Sequence, residues 1–350
     1  MASEASAQVR EAIKTVIAGN DLAREQATAT MNAIMSGEAT GAQIGCLLTA
    51  LRLKGETVDE ITGFATVMRE KVTRISTSAP SVIDTCGTGG DGLHTFNIST
   101  LAAFVAAGAG AVVAKHGNRS VSSACGSADV LKALGVNIEA PVETVERCLD
   151  EVGIGFLYAP LLHKAMKHAI GPRREIGIRT VFNILGPLTN PAGAGAQLLG
   201  VYDGALTATL ANVLKALGST RVFVVHGGDG QDEISLTGPT QVAELRDGTV
   251  TTTTITPEQF DMPRVAIEAL VGGGPEQNAG IALKILDGEK GPHRDAVVLN
   301  AAAAIAAAGL ADDIAGLTGD IAGGIPKAAE SIDSGAAKAK LDELVKLTNA

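Results

Sequence analysis

The feature that most constrains the fold is the segment 82–123, in which two short apolar runs each lead into a loop rich in glycine, hydroxyl and amide side chains. The first loop has four glycines among residues 87–92, and the second follows the apolar run 111–114. Glycine lets a backbone approach an anion closely, and a helix that begins after such a loop presents free N–H groups. Lys115 and Arg119 add cationic donors that suit phosphate. The segment therefore predicts a site for a ligand that carries several phosphates.

The alternative interpretation is that each glycine-rich loop is only a tight turn without a ligand. The segment matches neither G-x-x-x-x-G-K-[ST] nor a G-x-G-x-x-G followed by an acid about 20 residues on, the common nucleotide signatures. The second loop favours the phosphate site, because the strand ends of one α/β sheet converge on one crevice.

Length and charge limit the classes of protein that this chain can represent. The chain has 350 residues, which exceeds the roughly 250–300 residues at which single cores tend to split, so two domains are expected. The formal net charge of −10 disfavours a broad nucleic-acid-binding surface, and no nucleic-acid partner is expected. No two of Cys46, Cys86, Cys125 and Cys148 form a C-x-x-C pair, so reduced, buried thiols are expected rather than a zinc site or disulfides.

Neither a secretory signal nor a membrane span is predicted. The first residues, MASEASAQVREAIK, lack the apolar segment of a signal peptide. The longest apolar run, residues 101–114, falls short of the ~20 residues that span a bilayer. A cytoplasmic location with no membrane partner is therefore expected.

The periodicity changes from helical to alternating after residue 76. Residues 1–76 have the pattern of four amphipathic helices, with capping boxes at Thr40–Gln43 and Thr57–Glu60 and a break at Asn20–Asp21 that can cap the second helix. From residue 81 onward, strand and helix patterns alternate, which is typical of a mostly parallel α/β sheet. The strand candidates are 82–85, 111–114, 153–157 and 221–225, and the helix candidates are 98–107, 127–134, 142–151 and 205–217.

Three other stretches have their own patterns. Residues 160–185 are helical in pattern with a Gly-Pro break at 171–172, and could return to the helical bundle. Residues 240–256 predict a hairpin at a sheet edge with an Asp-Gly turn at 247–248. The C-terminal third is rich in alanine and predicts helix.

Several charged residues outside the main segment are candidates for chemistry. Asp232 and Glu233 follow a predicted strand, and paired carboxylates there suit Mg²⁺, although a solvated acidic loop is the alternative. Any of the three arginines in the segment 173–179 could hold a carboxylate through two hydrogen bonds. His116 could serve in acid–base catalysis or form a pocket wall, and the sequence leaves both open.

Taken together, these residues resemble the anthranilate phosphoribosyltransferases over nearly the whole chain. The motifs that carry the resemblance are DTCGTGGD at 84–91, TFNIST at 95–100, KHGNRSVSS at 115–123, GSAD at 126–129, RREIG at 173–177, TVFNILGPLTNP at 180–191, the pair at 232–233, and RDAVVLN at 294–300. Each motif is a modest signal alone, and their occurrence in this order is highly specific.

The resemblance implies transfer of the phosphoribosyl group of 5-phosphoribosyl diphosphate (PRPP) to the amine of anthranilate, a step of tryptophan biosynthesis that needs Mg²⁺. It also implies a homodimer and a nucleoside-phosphorylase-like fold, with a small discontinuous all-helical domain and a large α/β domain around a mostly parallel sheet. The helical domain would comprise 1–77 with 166–190, and the α/β domain 78–165 with 191–350.

The resemblance also assigns residues to ligands. The donor PRPP would contact Gly87, Gly90, Asp91, Thr95, Asn97, Ile98, Ser99, Thr100, Lys115, His116, Gly117, Asn118, Arg119, Ser120, Val121, Ser122, Ser123 and Ser127. Anthranilate would contact Gly87, His116, Asn118 and Arg173, with Arg173 on its carboxylate and no general base assigned. The metal ligands would be Ser99, Asp232 and Glu233.

This chain departs from the family pattern at two places. Gln231 precedes Asp232 where the family more often has an apolar residue, and Gly171–Pro172 precedes Arg173 at the hinge. Two rival functions share parts of the pattern: a pyrimidine nucleoside phosphorylase of the same fold, and a non-catalytic nucleic-acid-binding relative.

Overall fold

The computed structural model describes residues 4–120, 124–311 and 316–350, and the chain divides into two compact units. The first, helical unit comprises Met1–Arg74, Pro160–Pro191 and Asn212–Gly218. The second, α/β unit comprises Ile75–Ala159, Ala192–Ala211 and Ser219–Ala350. These units differ from the predicted domains chiefly at residues 212–218, which lie in the helical unit.

The helical unit opens with four amphipathic helices of the kind predicted. They are α1 Glu4–Ile17, α2 Arg24–Met35, α3 Gly41–Lys54 and α4 Val58–Lys71. Both predicted capping boxes are present: the Thr40 hydroxyl accepts from Gln43 N at 3.2 Å, and the Thr57 hydroxyl accepts from Glu60 N at 3.3 Å. The predicted cap at Asn20–Asp21 is wrong, because α2 begins after Ala23.

The later segments of this unit are short helices. They are α8 Ala159–Leu162, whose first residue belongs to the α/β unit, α9 Lys167–Ile176 and α10 Phe182–Leu185. The predicted break at Gly171–Pro172 is wrong, because α9 continues through Pro172. Proline removes a single N–H donor, whose acceptor would be the carbonyl of His168 in the first turn, so the helix loses only one hydrogen bond.

A buried carboxylate ties together three segments of the helical unit. Glu60 on α4 is fully buried. Its Oε1 accepts from Leu22 N at 2.9 Å, and its Oε2 accepts from Thr57 N at 2.8 Å and from Lys54 Nζ at 3.1 Å. Lys54 also donates to Asp21 Oδ1 at 2.6 Å, which gives Asp21 a role in an ion pair instead of a cap. A buried charge of this kind is tolerated only because each oxygen has donors.

The α/β unit is built on one seven-stranded sheet within the described residues, in the order β3-β2-β1-β4-β5-β6-β7. The strands are β1 Ile83–Gly87, β2 Val113–Gly117, β3 Ile154–Tyr158, β4 Ala196–Gly200, β5 Arg221–Gly227, β6 Thr240–Arg246 and β7 Thr249–Ile255. The first five strands in this order pair in parallel, and β6 and β7 form the predicted antiparallel hairpin at one edge. The predicted fold class is confirmed. The sequence did not reveal β4, whose AQLLG segment has no β-branched residue.

Helices cover this sheet and close its core. They are α5 Ile98–Gly108, α6 Ser127–Ala133, α7 Val142–Arg147, α11 Leu206–Ala216, α12 Pro275–Leu286, α13 Pro292–Ala307, α14 Leu317–Asp333 and α15 Ala336–Thr348. Helix α11 runs from the α/β unit into residues assigned to the helical unit. Cys86, Cys125 and Cys148 are buried as expected, but Cys46 on α3 is exposed. In the described parts of the chain, no helix has both the length and the apolarity that a bilayer span requires.

The parallel strands bring four loops to one edge of the sheet. Gly87 at the end of β1 pairs in register with Gly200 at the end of β4. β2 and β5 end nearby, at Gly117 and Gly227. The strand order reverses between β1 and β4, and ligands of α/β sheets bind at the carboxyl ends of strands at such a switch point. The fold therefore places the glycine-rich loops and the acidic pair at the position expected for a ligand.

We predict that Glu60→Ala destabilises the helical unit by about 2–4 kcal/mol, because it leaves Lys54 and two N–H groups without their buried acceptor. Urea denaturation followed by circular dichroism measures this change. The matched control is Asp59→Ala, which removes a partly exposed ion pair with Arg24 and should change stability by less than about 1 kcal/mol. Equal effects of the two substitutions would contradict this account of the Glu60 cluster.

Candidate active site

The first loop, residues 88–97 between β1 and α5, contains three glycines in the left-handed region of backbone conformation, which glycine adopts without steric cost. Gly89, Gly90 and Gly92 have φ values of +67°, +78° and +78°. Thr88 anchors the start of the loop: its N–H donates to Gly200 O at 2.9 Å, and its hydroxyl accepts from Tyr202 N at 3.0 Å. Within this loop the Gly89 N–H is turned toward the acidic loop, where it donates to Asp232 Oδ2 at 2.7 Å.

The end of the first loop is fixed by backbone and amide contacts. Thr95 forms an isolated β-bridge with Val271. Asn97 Nδ2 donates to Cys125 O at 3.1 Å, and Asn97 Oδ1 accepts from Asn278 Nδ2 at 2.9 Å. Cys125 ends the second loop, so Asn97 joins the two glycine-containing loops directly.

In the first turn of α5, some residues are buried in the core and one contacts the acidic pair. Ile98 and Thr100 are buried, at 1% exposure each. Thr85 Oγ1 donates to Ser99 O at 3.0 Å, and Ser99 N donates to Glu233 Oε1 at 3.1 Å. The Ser99 hydroxyl also bonds to Glu233. Of the predicted residues in this turn, Ser99 is thus in contact with the acidic pair, whereas the Ile98 and Thr100 side chains are largely removed from solvent.

The strand β2 delivers a buried cation and a buried imidazole. Lys115 is 3% exposed, and its Nζ donates to Thr85 O on the neighbouring strand. His116 is 7% exposed, and its backbone N–H donates to the Asp84 carboxylate at 3.1 Å. The positive charge of Lys115 also lowers the pKa of Glu233.

Asp129 binds both described ends of the second loop, residues 118–120 and 124–126. Its Oδ2 accepts from Ser120 N at 3.1 Å and from Gly126 N at 3.0 Å. Arg119 is engaged within the same unit, because its Nε donates to the Tyr158 hydroxyl at 3.0 Å. The predicted residues Val121, Ser122 and Ser123 lie outside the described residues.

The remaining predicted residues of this region pack closely. Ser127 Oγ donates to Asn118 O at 3.2 Å, and Asn118 Oδ1 accepts from Arg119 N at 2.7 Å. A Cβ at Gly117 would lie 2.3 Å from Ser127 Oγ, so glycine is required at the end of β2 for Ser127 to hold this position.

The acidic loop, residues 228–239 between β5 and β6, brings both carboxylates against the first loop and α5. Asp232 Oδ2 accepts from Gly89 N at 2.7 Å, while Glu233 is held by Ser99. A Cβ at Gly87 would lie 2.3 Å from Asp232 Oδ2, and one at Gly200 would lie 1.6 Å from Asp232 O. Glycine at the ends of β1 and β4 is therefore what lets Asp232 reach this position.

The two carboxylates are electrostatically strained. Burial raises the pKa of Asp232 above its ordinary value, and repulsion from Asp91 raises it further. Burial also raises the pKa of Glu233, and the neighbouring Asp232 adds to the effect. Because a nearby cation favours ionised carboxylates, a bound cation would relieve this strain.

The donor set fits a hard cation such as Mg²⁺. Ser99, Asp232 and Glu233 offer oxygen atoms, the ligands that Mg²⁺ takes. Among the described residues, no group of three or more His, Cys, Asp or Glu side chains is arranged to hold a metal. Mg²⁺ commonly uses one or two carboxylates and completes its shell with waters and substrate phosphates, which agrees with this sparse set.

Arg173 differs from the two arginines near it. It lies on α9 in the helical unit, and its guanidinium carbon is 5.0 Å from the centre of the Phe182 ring. Burial lowers the pKa of Arg173, whereas Arg174 and Arg179 are exposed. The stacking fixes the plane of the guanidinium, which singles out Arg173 as the arginine prepared for planar recognition of a carboxylate.

Sequence reasoning missed three residues that organise the site. They are Asp84, Asp129 and Asn278, and each acts on a backbone or side-chain group of a predicted residue. Asp84 and Asp129 stood within recognised motifs, but their partners are set by the fold. Asn278 stands in no recognised motif.

Comparisons with known proteins agree with this architecture. Residues 79–338 match the Glycosyl transferase family, a/b domain, and residues 10–72 match the Glycosyl transferase family, helical bundle domain. A curated relative is the anthranilate phosphoribosyltransferase of Pelotomaculum thermopropionicum, 59% identical over 340 residues that cover 97% of this chain and 96% of the relative.

Two solved structures are similar along almost the whole chain. Anthranilate phosphoribosyltransferase from Thermus thermophilus has a TM-score of 0.90 and 46% identity, covering 97% of this chain and 99% of that one. The enzyme from Saccharomyces cerevisiae in complex with PRPP and Mg has a TM-score of 0.87 and 28% identity, covering 99% of both chains. With both domain matches and this degree of identity, the chain belongs to the anthranilate phosphoribosyltransferase family.

Proposed function

We propose that this chain transfers the phosphoribosyl group of PRPP to the amine of anthranilate, giving N-(5-phosphoribosyl)anthranilate and diphosphate, with Mg²⁺ as the required cation. One observation carries the proposal: the half-buried carboxylates of Asp232 and Glu233 accept from the N–H groups of Gly89 and Ser99, and the charge of Lys115 lowers the pKa of Glu233. The identities of the two substrates are proposed from the family membership.

The donor's diphosphate is proposed to lie along the first loop and the start of α5. The macrodipole of α5 favours negative charge at the start of that helix. Ser99 and Lys115 add a hydroxyl and an ammonium. As the bond between ribose C1 and diphosphate breaks, negative charge builds on the leaving group, and donors already fixed in place stabilise it without reorganising.

Asp232, Glu233 and Ser99 are proposed to hold Mg²⁺. The ion, when bound, supplies charge neutralisation for the leaving diphosphate. The chain's part is to keep both carboxylates ionised and aimed, through Gly89 N, the Ser99 groups and the positive charge of Lys115.

The acceptor needs orientation more than activation. The aromatic amine of anthranilate is a nucleophile at neutral pH, so no general base is assigned. By the family resemblance, Arg173 holds the anthranilate carboxylate, and Gly87, His116 and Asn118 line the acceptor. Holding two substrates in reactive geometry can supply several kcal/mol of barrier reduction.

The remaining donor contacts, the homodimer and the cytoplasmic location are proposed on the same resemblance. Light scattering of the purified chain tests the dimer: a mass twice that of the monomer is expected, and a monomeric mass at all concentrations would contradict it.

The function is tested by the fluorescence of anthranilate. It should fall when the chain is given both anthranilate and PRPP with Mg²⁺, and stay constant when PRPP is omitted or EDTA is added. Phosphorolysis of thymidine and uridine is the matched assay for the rival nucleoside phosphorylase. Turnover of these nucleosides, without turnover of anthranilate, would overturn the proposal.

We predict that Asp232→Ala lowers kcat/KM by about 100-fold to 1,000-fold, since it removes a carboxylate that acts on the developing charge. His116→Ala should lower kcat/KM by less than about 10-fold, because it removes a side chain that lines the pocket and not a group that transfers a proton. Steady-state kinetics at saturating Mg²⁺ measure both. A His116→Ala variant that is less active than Asp232→Ala would contradict this order and restore a chemical role for the imidazole.

We predict that Arg173→Ala raises the KM for anthranilate by about 10-fold to 100-fold, the value of a lost charge-assisted hydrogen-bond pair, and leaves the KM for PRPP nearly unchanged. Arg174→Ala is the control, because Arg174 is the exposed neighbour on the same helix. Equal increases in both KM values would show that Arg173 acts on the hinge instead.

A further inference from the structure

Asn300 is the polar exception in an otherwise apolar stretch of α13. From Ala296 to Ala307, all residues except Asn300 are Ala, Val, Leu or Ile. Asn300 is fully buried. An amide in such surroundings costs free energy unless its donors and acceptor are satisfied. Its partners therefore indicate what it does.

The side chain of Asn300 bonds to both backbone groups of a single residue in the acidic loop. Its Oδ1 accepts from Ile234 N at 2.9 Å, and its Nδ2 donates to Ile234 O at 3.0 Å. Nδ2 also donates to Ala296 O at 3.0 Å, one turn earlier on the same helix. The amide thus pairs with Ile234 as a neighbouring β-strand would, and it leaves neither of its polar atoms unsatisfied.

Ile234 directly follows the acidic pair, so this contact bears on the carboxylates. The loop also has its own support: Gly227 N donates to Gln231 O at 2.9 Å before the pair, and the Asp229 carboxylate accepts from Gln231 before the pair and from Ser235 and Thr237 after it. After the pair, Asn300 fixes the backbone at Ile234. The two supports bracket Asp232 and Glu233.

Gln231, one of the two departures from the family pattern, is part of the hydrogen-bond network around Asp229. It is fully buried, and its Nε2 donates to Asp229 and, at 3.3 Å, to Ser235 Oγ.

We propose that Asn300 is a positioning residue for the metal-binding pair. By holding both backbone groups of Ile234, it fixes the rotation of the chain at Glu233 and the direction in which the two carboxylates leave the loop. Groups that orient metal ligands in this way alter metal affinity without touching the metal. This inference rests on the proposed role of Asp232 and Glu233 as Mg²⁺ ligands.

The test uses the full chain with Asn300→Ser and Asn300→Leu. Serine can still bond to Ala296 O, four residues earlier, but cannot span to Ile234, whereas leucine keeps the branched shape and the number of side-chain heavy atoms and removes every hydrogen bond. The Mg²⁺ concentration for half-maximal activity should rise about 10-fold to 100-fold in both variants. The KM for anthranilate should stay at its parent value.

A binding measurement separates this role from catalysis. Calorimetric titration with inorganic diphosphate, with Mg²⁺ and with EDTA, gives the part of the affinity that depends on the cation. Asn300→Ser should retain the affinity measured in EDTA and lose most of the gain that Mg²⁺ confers.

The control is Ser331→Ala, which removes a buried hydrogen bond of 2.8 Å to Val105 O elsewhere in the α/β unit. It should lower the thermal midpoint without changing the response to Mg²⁺. An equal Mg²⁺ response in Asn300→Ser and the parent, or an equal shift in Asn300→Ser and Ser331→Ala, would overturn the proposal. If Asp232→Ala kept full Mg²⁺-dependent activity, the proposed role of Asp232 as a Mg²⁺ ligand would itself be wrong, which is a different result.

Discussion

The site depends on two half-buried carboxylates that are held against the first loop and the start of α5. Burial opposes the ionised state of both carboxylates, and repulsion adds to it, from Asp91 on Asp232 and from Asp232 on Glu233. The Gly89 and Ser99 N–H groups and the charge of Lys115 act against these effects. Folding thus places negative charge where it is costly, and a bound cation is what would lower that cost. Carboxylates with perturbed pKa values are typical of functional sites.

Much of this arrangement could be predicted from the sequence, because local patterns carried it. Strands with β-branched residues such as RVFVV, the capping boxes of α3 and α4, and the hairpin with its Asp-Gly turn all depend on near neighbours in the chain. The convergence of the two loops followed from the general behaviour of parallel sheets. It is now seen directly in the hydrogen bond from Asn97 to Cys125.

What could not be predicted depends on distant partners. β4 lacks a strand-like composition and is held by its neighbours β1 and β5. Pro172 was expected to end a helix, but only the surrounding structure decides whether one lost hydrogen bond is tolerated. Asp129 and Asn278 are ordinary polar residues in the sequence, and their importance comes from the specific N–H and amide groups that the fold brings to them. The contact of Arg119 with Tyr158 likewise depends on a strand that is distant in the chain.

The register of β1 and β4 has a consequence for how this sequence can vary. Gly87 and Gly200 are cross-strand partners, and a methyl group at either would collide with the same residue, Asp232. The two positions therefore form one steric unit that is shared by strands more than a hundred residues apart in the chain. A substitution at one glycine cannot be compensated at the other. Replacing either glycine would require Asp232 itself to move.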